Sequence, residues 1–307
     1  MKLAILFSGQ GAQFPGMGLD FIEKEPQLKE RLTQFSLTTN LHLESLLADE
    51  VKIHNTKFTQ PLMVAVEILI LDLLREKYGL KADGYLGFSL GEFTALYAAG
   101  FYNDFDLLQI IKKRAELMAE MGTRTQGKMA AILSLTDEQV EVICKEVSTP
   151  NEVVVAANYN APGQLVISGE ANAVLRAVEL AKERGARRAI PLNVSGAFHS
   201  PYMAYAGSVL KEYASHFKLN DHHSVVYANS NAKPLDKNNV LQEIEVQISS
   251  PVYFKQSIEN MIADGYTHFL EVGPGQVLAN LVKKISADAK VFNVSSYEDI
   301  QNIKEIL

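Results

Sequence analysis

"YLGFSLGEFTALYAAG", running from Tyr85 to Gly100, is the stretch on which the reading of this chain turns. A short apolar run ends at Phe88, a serine stands between two glycines, and a helical apolar pattern starts directly behind it. Gly87-Phe88-Ser89-Leu90-Gly91 matches the G-x-S-x-G elbow, in which a strand turns sharply into a helix and lifts the serine hydroxyl above the strand's carboxyl end. The glycines give the chain room to turn, and the Leu90 N–H at the helix start can face a developing oxyanion. An ordinary strand-to-helix connection explains the same residues, so the choice between nucleophile and plain turn depends on the rest of the chain.

Outward from the elbow, short apolar runs alternate with helical patterns, the signature of an α/β protein. Lys2–Phe7 reads as a first strand, followed by the loop "SGQGAQFPGMG". A long helix follows "TQPL", with Thr59 as cap and Pro61 in the first turn, and runs to about Tyr78. Gly84–Phe88 is a buried strand, Gly100 stops the helix behind Ser89, and another helix runs from near Asp104 to Gly122. The middle of the chain differs. "MAAILSL", "EVVVAANY", "QLVISG" and "RRAIPLNV" read as strands. Two helices lie among them, one opened by Thr136 with Gln139 in the capping-box position, the other ended by Gly185. The order β-α-β-β-α-β is that of the split, ferredoxin-like unit. The expected organisation is therefore an α/β-hydrolase-like core with a mostly parallel sheet, residues 1–122 and 196–307, and a ferredoxin-like subdomain, residues 123–195.

The bulk composition narrows the function. A chain of 307 residues with 47% apolar and 21% charged residues is long enough for a large core and ordinary for a globular protein. A formal charge of −7 argues against nucleic acid as a main partner. The single cysteine, Cys144, excludes an internal disulfide, and its apolar neighbours make it a buried, inert thiol. The first apolar run is too short for a signal peptide, and "LMVAVEILILDLL" is interrupted by Glu67 and Asp72. The expectation is a cytoplasmic protein with no membrane partner.

Several motifs are set aside. "GTRTQGKM" begins like a phosphate-binding loop, but Met129 stands where a hydroxyl must reach magnesium, and a helix rather than a strand precedes it. "GQGAQF" has Phe14 where a dinucleotide fingerprint needs its third glycine. The seven histidines are dispersed, and the pair His222–His223 lacks ligand spacing, so no metal is expected.

A serine nucleophile needs a base. His199, in "NVSGAFHSPYM", follows a strand and precedes Ser200 and Pro201, a cap and a first-turn residue. An imidazole near a helix amino terminus resists protonation, which suits a base at neutral pH. His268, in "YTHFLEV", falls within a strand and reads as a core histidine. Arg114 lies with Leu107, Ile110, Ile111, Met118 and Met121 on one helical face. A guanidinium on an apolar stripe needs an anionic partner, either a nearby Asp or Glu in a structural ion pair or the carboxylate of a substrate.

Taken in order, "FSGQGAQFPGMG", "TQPL", "GFSLGE", the arginine of "KKRAELM", "NYNAPGQLVISG", "GAFHSPYM", "QISSPV" and "EVGPGQVLANLVK" resemble the motifs of malonyl-CoA:acyl carrier protein transacylases. The resemblance covers essentially the whole chain. It implies an S-malonyltransferase in which Ser89 is acylated and His199 is the base. It further implies that Gln10 and Leu90 supply oxyanion N–H groups, Arg114 holds the malonyl carboxylate and Gln247 positions His199. Malonyl-CoA and a phosphopantetheinylated acyl carrier protein would be the partners, and no bound cofactor is needed. Phe88 replaces a histidine usual before the nucleophile, and Ser8 a proline usual before "GQG". Because carrier proteins are usually acidic, Arg184, Arg187, Arg188, Lys283 and Lys284 are the candidate docking residues. A carrier-protein thioester hydrolase on the same fold, an ordinary esterase and a non-catalytic carrier-binding scaffold remain as alternatives.

Overall fold

The computed structural model describes residues 1–194, 196–221 and 224–307. The pair His222–His223 lies outside the described residues. Among the described residues, nine strands and their connecting helices are arranged around two sheets. The larger sheet contains β1 (Leu3–Phe7), β2 (Gly84–Gly87), β7 (Val225–Tyr227), β8 (His268–Val272) and β9 (Lys290–Val294) in the order β7-β2-β1-β8-β9, every pairing parallel. β1 is buried along its whole length, as a continuous apolar strand covered on both faces must be. Phe7 pairs with Gly87, so the glycine-rich loop after β1 and the elbow after β2 leave the sheet side by side at its carboxyl edge. In open α/β sheets that edge is where ligands bind.

The smaller sheet contains β3 (Gly127–Leu133), β4 (Val154–Ala161), β5 (Gln164–Glu170) and β6 (Arg188–Pro191) in the order β4-β5-β3-β6, all antiparallel. Helices Asp137–Val147 and Ala171–Glu183 bury Val140, Ile143, Val174 and Val178 against its Ala130 and Ile132. This is the ferredoxin-like order read from the sequence, and the expected capping box of Thr136 and Gln139 is formed. The thiol of Cys144 is buried in this layer, and burial pushes its pKa up to about 12. Val252, in the loop after helix Val240–Gln247, exchanges backbone hydrogen bonds with Ala157 and Tyr159 of β4.

One boundary differs from expectation. The long helix spans Thr56–Tyr78, and Asn55, not Thr59, is its cap, its side chain accepting from the Lys57 N–H. Thr59 lies inside the first turn, where its hydroxyl donates to the Ile53 and Asn55 carbonyls. Pro61 sits in the body of the helix rather than at its start, so proline and threonine together mimicked a cap that lies one turn earlier.

The elbow glycines are required by contact. A Cβ on Gly87 would lie 1.8 Å from the Gly91 carbonyl carbon, and one on Gly91 would lie 2.1 Å from the Phe7 carbonyl oxygen. That oxygen is fixed, because it accepts from the Phe88 N–H. Gly91→Ala is expected to destabilise the fold by about 3 kcal/mol or more, the range of severe steric substitutions. A thermal melt lowered by less than one degree would show that the elbow can relax.

Candidate functional site

Ser89 carries the unusual backbone of the elbow. Its φ is 52°, in the left-handed region that costs a non-glycine residue free energy and persists only where neighbours enforce it. Asn229 and Gln247 do so. Asn229 Oδ1 accepts from the Ser89 N–H at 2.7 Å, and its Nδ2 donates to the Gly87 carbonyl at 2.7 Å. Gln247 Nε2 donates to the Ser89 carbonyl at 2.5 Å. Two amides from separate elements thus grip the serine's backbone and leave its hydroxyl free to work.

That hydroxyl lies 2.7 Å from His199 Nε2. The ring's other nitrogen, Nδ1, faces the backbone carbonyls of Gln247 at 3.0 Å and Ser250 at 3.1 Å. Carbonyls only accept, so Nδ1 carries the proton and Nε2 is left as acceptor for the serine O–H. His199 is buried and also has a positive φ, 56°. Burial, reinforced by the positive charge of Arg114, pushes its pKa down to about 4 against the opposing pull of the two carbonyls. The imidazole is neutral at pH 7, but not for the reason expected from the sequence. Pro201–Met203 forms only a 3₁₀ turn before helix Ala204–Ala214, and the Ser200 hydroxyl donates back to the Ala197 carbonyl at 2.6 Å instead of capping.

Gln247 meets His199 through its backbone. Its side chain makes no hydrogen bond to the ring. It bridges Ser89, Glu92 and Arg114, while its main-chain carbonyl holds the ring. His268 opens β8 half-buried, with Nδ1 beside the Thr267 hydroxyl and its ring stacked on Phe292, so it is neither a core residue nor part of this cluster.

Arg114 is 1% exposed, on the apolar face of helix Asp104–Arg124 as the spacing predicts. All of its hydrogen-bond partners are neutral: Gln60 Oε1 at 2.6 Å, Gln247 Oε1 at 3.0 Å and Ser89 Oγ at 3.1 Å. The guanidinium also lies over the Phe93 ring, 5.2 Å from its centroid. Among the described residues no carboxylate forms an ion pair with it, and its Nε has no partner. The structural ion pair is therefore absent there. Burial pushes the guanidinium down to about 9, so it remains cationic at neutral pH. Gln60 is oriented by donating to Thr56 Oγ1 at 2.9 Å, and Thr56 in turn donates to Gln10 Oε1 at 2.7 Å.

These groups open into a cavity of about 280 Å³ lined by Gln10, Phe88, Ser89, Leu90, Arg114 and His199, with Met118, Met129, Val166 and Phe198 as apolar walls. Among the described residues neither the Gln10 nor the Leu90 N–H is engaged in a hydrogen bond. Phe88 turns its ring toward Phe254, 5.6 Å between centroids. Ser8 donates to buried Glu271 of β8 at 2.7 Å and lies 3.3 Å from the Pro274 carbonyl in the loop after β8, tying the end of β1 to both. Among the described residues no cluster of three metal-ligating side chains occurs. Asn229, Gln60 and the Ser250 carbonyl were not singled out from the sequence. "YANSN" has no periodicity that marks its asparagine, and Gln60 was read only as part of a helix start.

A neutral imidazole on a strained serine, beside a buried cation at the carboxyl edge of a parallel sheet, suits the handling of acyl groups that carry an anionic end. The acyl transferase domain family matches residues 5–301, and the chain belongs to that family. The malonyl CoA-acyl carrier protein transacylase of Bacillus subtilis (strain 168) is 40% identical over 303 residues, 98% of this chain and 95% of the relative. The solved malonyl CoA-acyl carrier protein transacylase of Clostridium perfringens is 36% identical with a TM-score of 0.94, covering 99% of this chain and 96% of its own. A malonyl-transacylase solved in complex with a type II PKS acyl-carrier protein is 30% identical with a TM-score of 0.95, covering 99% of both chains.

Proposed function

We propose that this chain moves a malonyl group from malonyl-CoA, through an ester on Ser89, to the phosphopantetheine thiol of an acyl carrier protein. The observation that carries this reading is Arg114: a cation sealed in the acyl cavity with only neutral partners, 3.1 Å from the serine hydroxyl. An acyl group with a free carboxylate supplies the anion that the site lacks.

In the first half-reaction Ser89 Oγ attacks the thioester carbonyl while His199 Nε2 takes its proton. The carbonyl electrons collect on oxygen beside the N–H groups of Gln10 and Leu90. Collapse breaks the carbon–sulfur bond, and the coenzyme A sulfur leaves with the proton from the histidinium. The carrier's thiol then gives its proton to His199 and attacks the serine ester; the carbon–oxygen bond breaks, and Ser89 Oγ leaves with that proton from the histidinium. Asn158 and Asn160 line or adjoin the same cavity with one buried amide atom each unpartnered, Nδ2 and Oδ1, which suits the amides of a pantetheine arm.

The division into a core of residues 1–122 and 196–307 and a subdomain of residues 123–195 belongs to this proposal, as does the cytoplasm as its place of action. No helix among the described residues is long and apolar enough to cross a membrane. Exposed Arg184, Arg187, Arg188, Lys283 and Lys284 are the proposed carrier-docking residues. Arg184 already pairs with Glu146, and Lys284 donates to Gln164, so the patch is partly neutralised before a carrier arrives.

Intact mass after brief incubation with malonyl-CoA is the test. A malonyl adduct that a holo carrier protein discharges supports the transferase; free malonate without carrier indicates a hydrolase; no adduct and no malonate indicate a scaffold. The pH profile gives a second test. His199 is competent when neutral, so kcat/KM should hold from pH 7 to about pH 5 and fall with an apparent pKa near 4, below the usual histidine value of about 6.5. The depressed pKa also makes His199's contribution to stability complete above pH 6.5 and lost as the pH falls toward 4. A limb near 6.5 in the free enzyme would show that burial and Arg114 do not depress His199.

A further inference from the structure

Behind Ser89 lie two buried carboxyl groups that the reaction itself does not use. Glu92, one turn beyond the nucleophile on helix Gly91–Ala98, is 1% exposed, and Glu243, on helix Val240–Gln247, is 5% exposed. Successive backbone N–H groups seat them side by side. Asn229 N donates to Glu92 Oε1 at 3.2 Å, and Ser230 N donates to Glu243 Oε1 at 3.0 Å. The Ser230 hydroxyl donates to the second oxygen of Glu243, and Gln247 Nε2 to Glu92 Oε2 at 2.8 Å. Among the described residues neither carboxyl forms an ion pair. Arg114, from helix Asp104–Arg124, is the cation whose charge acts on Glu92, and its own hydrogen bonds go elsewhere. Two adjacent carboxylates cannot both ionise in such a place.

We propose that Glu92 and Glu243 share a single proton, and that this acid–carboxylate pair positions Asn229 and Gln247, the two amides that hold Ser89 in its strained backbone. Each carboxyl accepts two donors; burial raises both, and the contact between the pair raises Glu92 and lowers Glu243, so Glu92 is the acid that donates and Glu243 the carboxylate. The neutral acid keeps a negative charge away from the serine while fixing its Oε2 as acceptor for Gln247. Gln247 Oε1 is thereby turned toward Arg114 and its Nε2 toward the Ser89 carbonyl. Glu92 and Glu243 are positioning residues; neither lines the cavity.

The kinetic part of this inference rests on the proposed acylation of Ser89, but the protonation state can be read without any activity. Infrared difference spectra of the whole protein at pH 7 should show, apart from the acid band of buried Glu67, a carboxylic-acid carbonyl component that is lost in Glu92→Gln and shifted in Glu243→Gln. In single-turnover acylation by malonyl-CoA, Glu92→Ala should lose about 10- to 100-fold in rate with KM changed less than about threefold, since a slightly misplaced nucleophile costs rate rather than binding. Glu92→Gln, which keeps an acceptor for Gln247 and a donor for Glu243 but turns its amide nitrogen toward the Asn229 N–H, should recover only part of that loss. Should Glu92→Ala lose its thermal transition, Glu92→Asp replaces it, keeping the acid but withdrawing it by one carbon. An acid band unaltered in both glutamine variants would overturn the shared proton, and wild-type acylation in a folded Glu92→Ala would overturn the positioning role. A wild type that forms no adduct at all while showing the band contradicts the acyl-transfer reading and leaves the proton assignment standing.

Discussion

Ser89→Ala should form no covalent malonyl adduct and lose turnover by on the order of 10⁴- to 10⁶-fold, as removal of a serine nucleophile does elsewhere. The fold should survive. The contacts that enforce the φ of 52° at this position run from Asn229 and Gln247 to the backbone of Gly87 and Ser89, not to the hydroxyl. What is lost with the side chain is the 2.7 Å contact to His199 and the 3.1 Å contact from Arg114. Intact mass after incubation with malonyl-CoA, beside a melt within a few degrees of the wild type, is the measurement. A labelled adduct retained in the folded variant would place the nucleophile elsewhere. His199→Ala should slow both acylation and discharge by about 10²- to 10⁴-fold, because one imidazole serves both directions. An acylation rate equal to the wild type would remove it from the mechanism.

Arg114→Ala should cost the malonyl donor about 30- to 1000-fold in kcat/KM, equivalent to roughly 2–4 kcal/mol for a shielded, charge-assisted contact. Part of that loss is common to every donor. Arg114 also donates to Ser89 Oγ, and its removal leaves Gln60 Oε1 and Gln247 Oε1 without their buried donor. The decisive quantity is therefore the ratio of kcat/KM for malonyl-CoA to that for acetyl-CoA, which has no free carboxylate to hold. This ratio should collapse by at least tenfold in Arg114→Ala. Arg114→Lys should restore it only in part, since an ammonium brings charge without the planar fork that reaches Gln60, Gln247 and a carboxylate together. An unchanged ratio in a folded variant would make Arg114 structural and leave the malonyl reading without its physical basis.

Much of this protein could be read before its fold was known. The strands, most helix limits, the capping box at Thr136 and the β-α-β-β-α-β order follow from local periodicity and turn chemistry, which act over a few residues. Ser89, His199 and Arg114 were legible because each breaks a local pattern: a serine between glycines, a histidine in a glycine-containing loop, a cation on an apolar stripe. The hydrogen bonds from Ser89 to His199 and from Arg114 to Ser89 and Gln247 span 110, 25 and 133 residues, and no local pattern carries information over the longer of these. Only the tertiary structure decided that burial and Arg114, rather than a helix end, keep His199 neutral. It decided too that Gln247 holds the imidazole through its backbone while its side chain serves Ser89, Glu92 and Arg114. The role of Asn229 arises in the same way, from a loop after an edge strand brought against the elbow by parallel pairing with β2. Sequence settles which groups are present and which segments are stiff; only packing decides which atom of each group faces which neighbour, and how far from water.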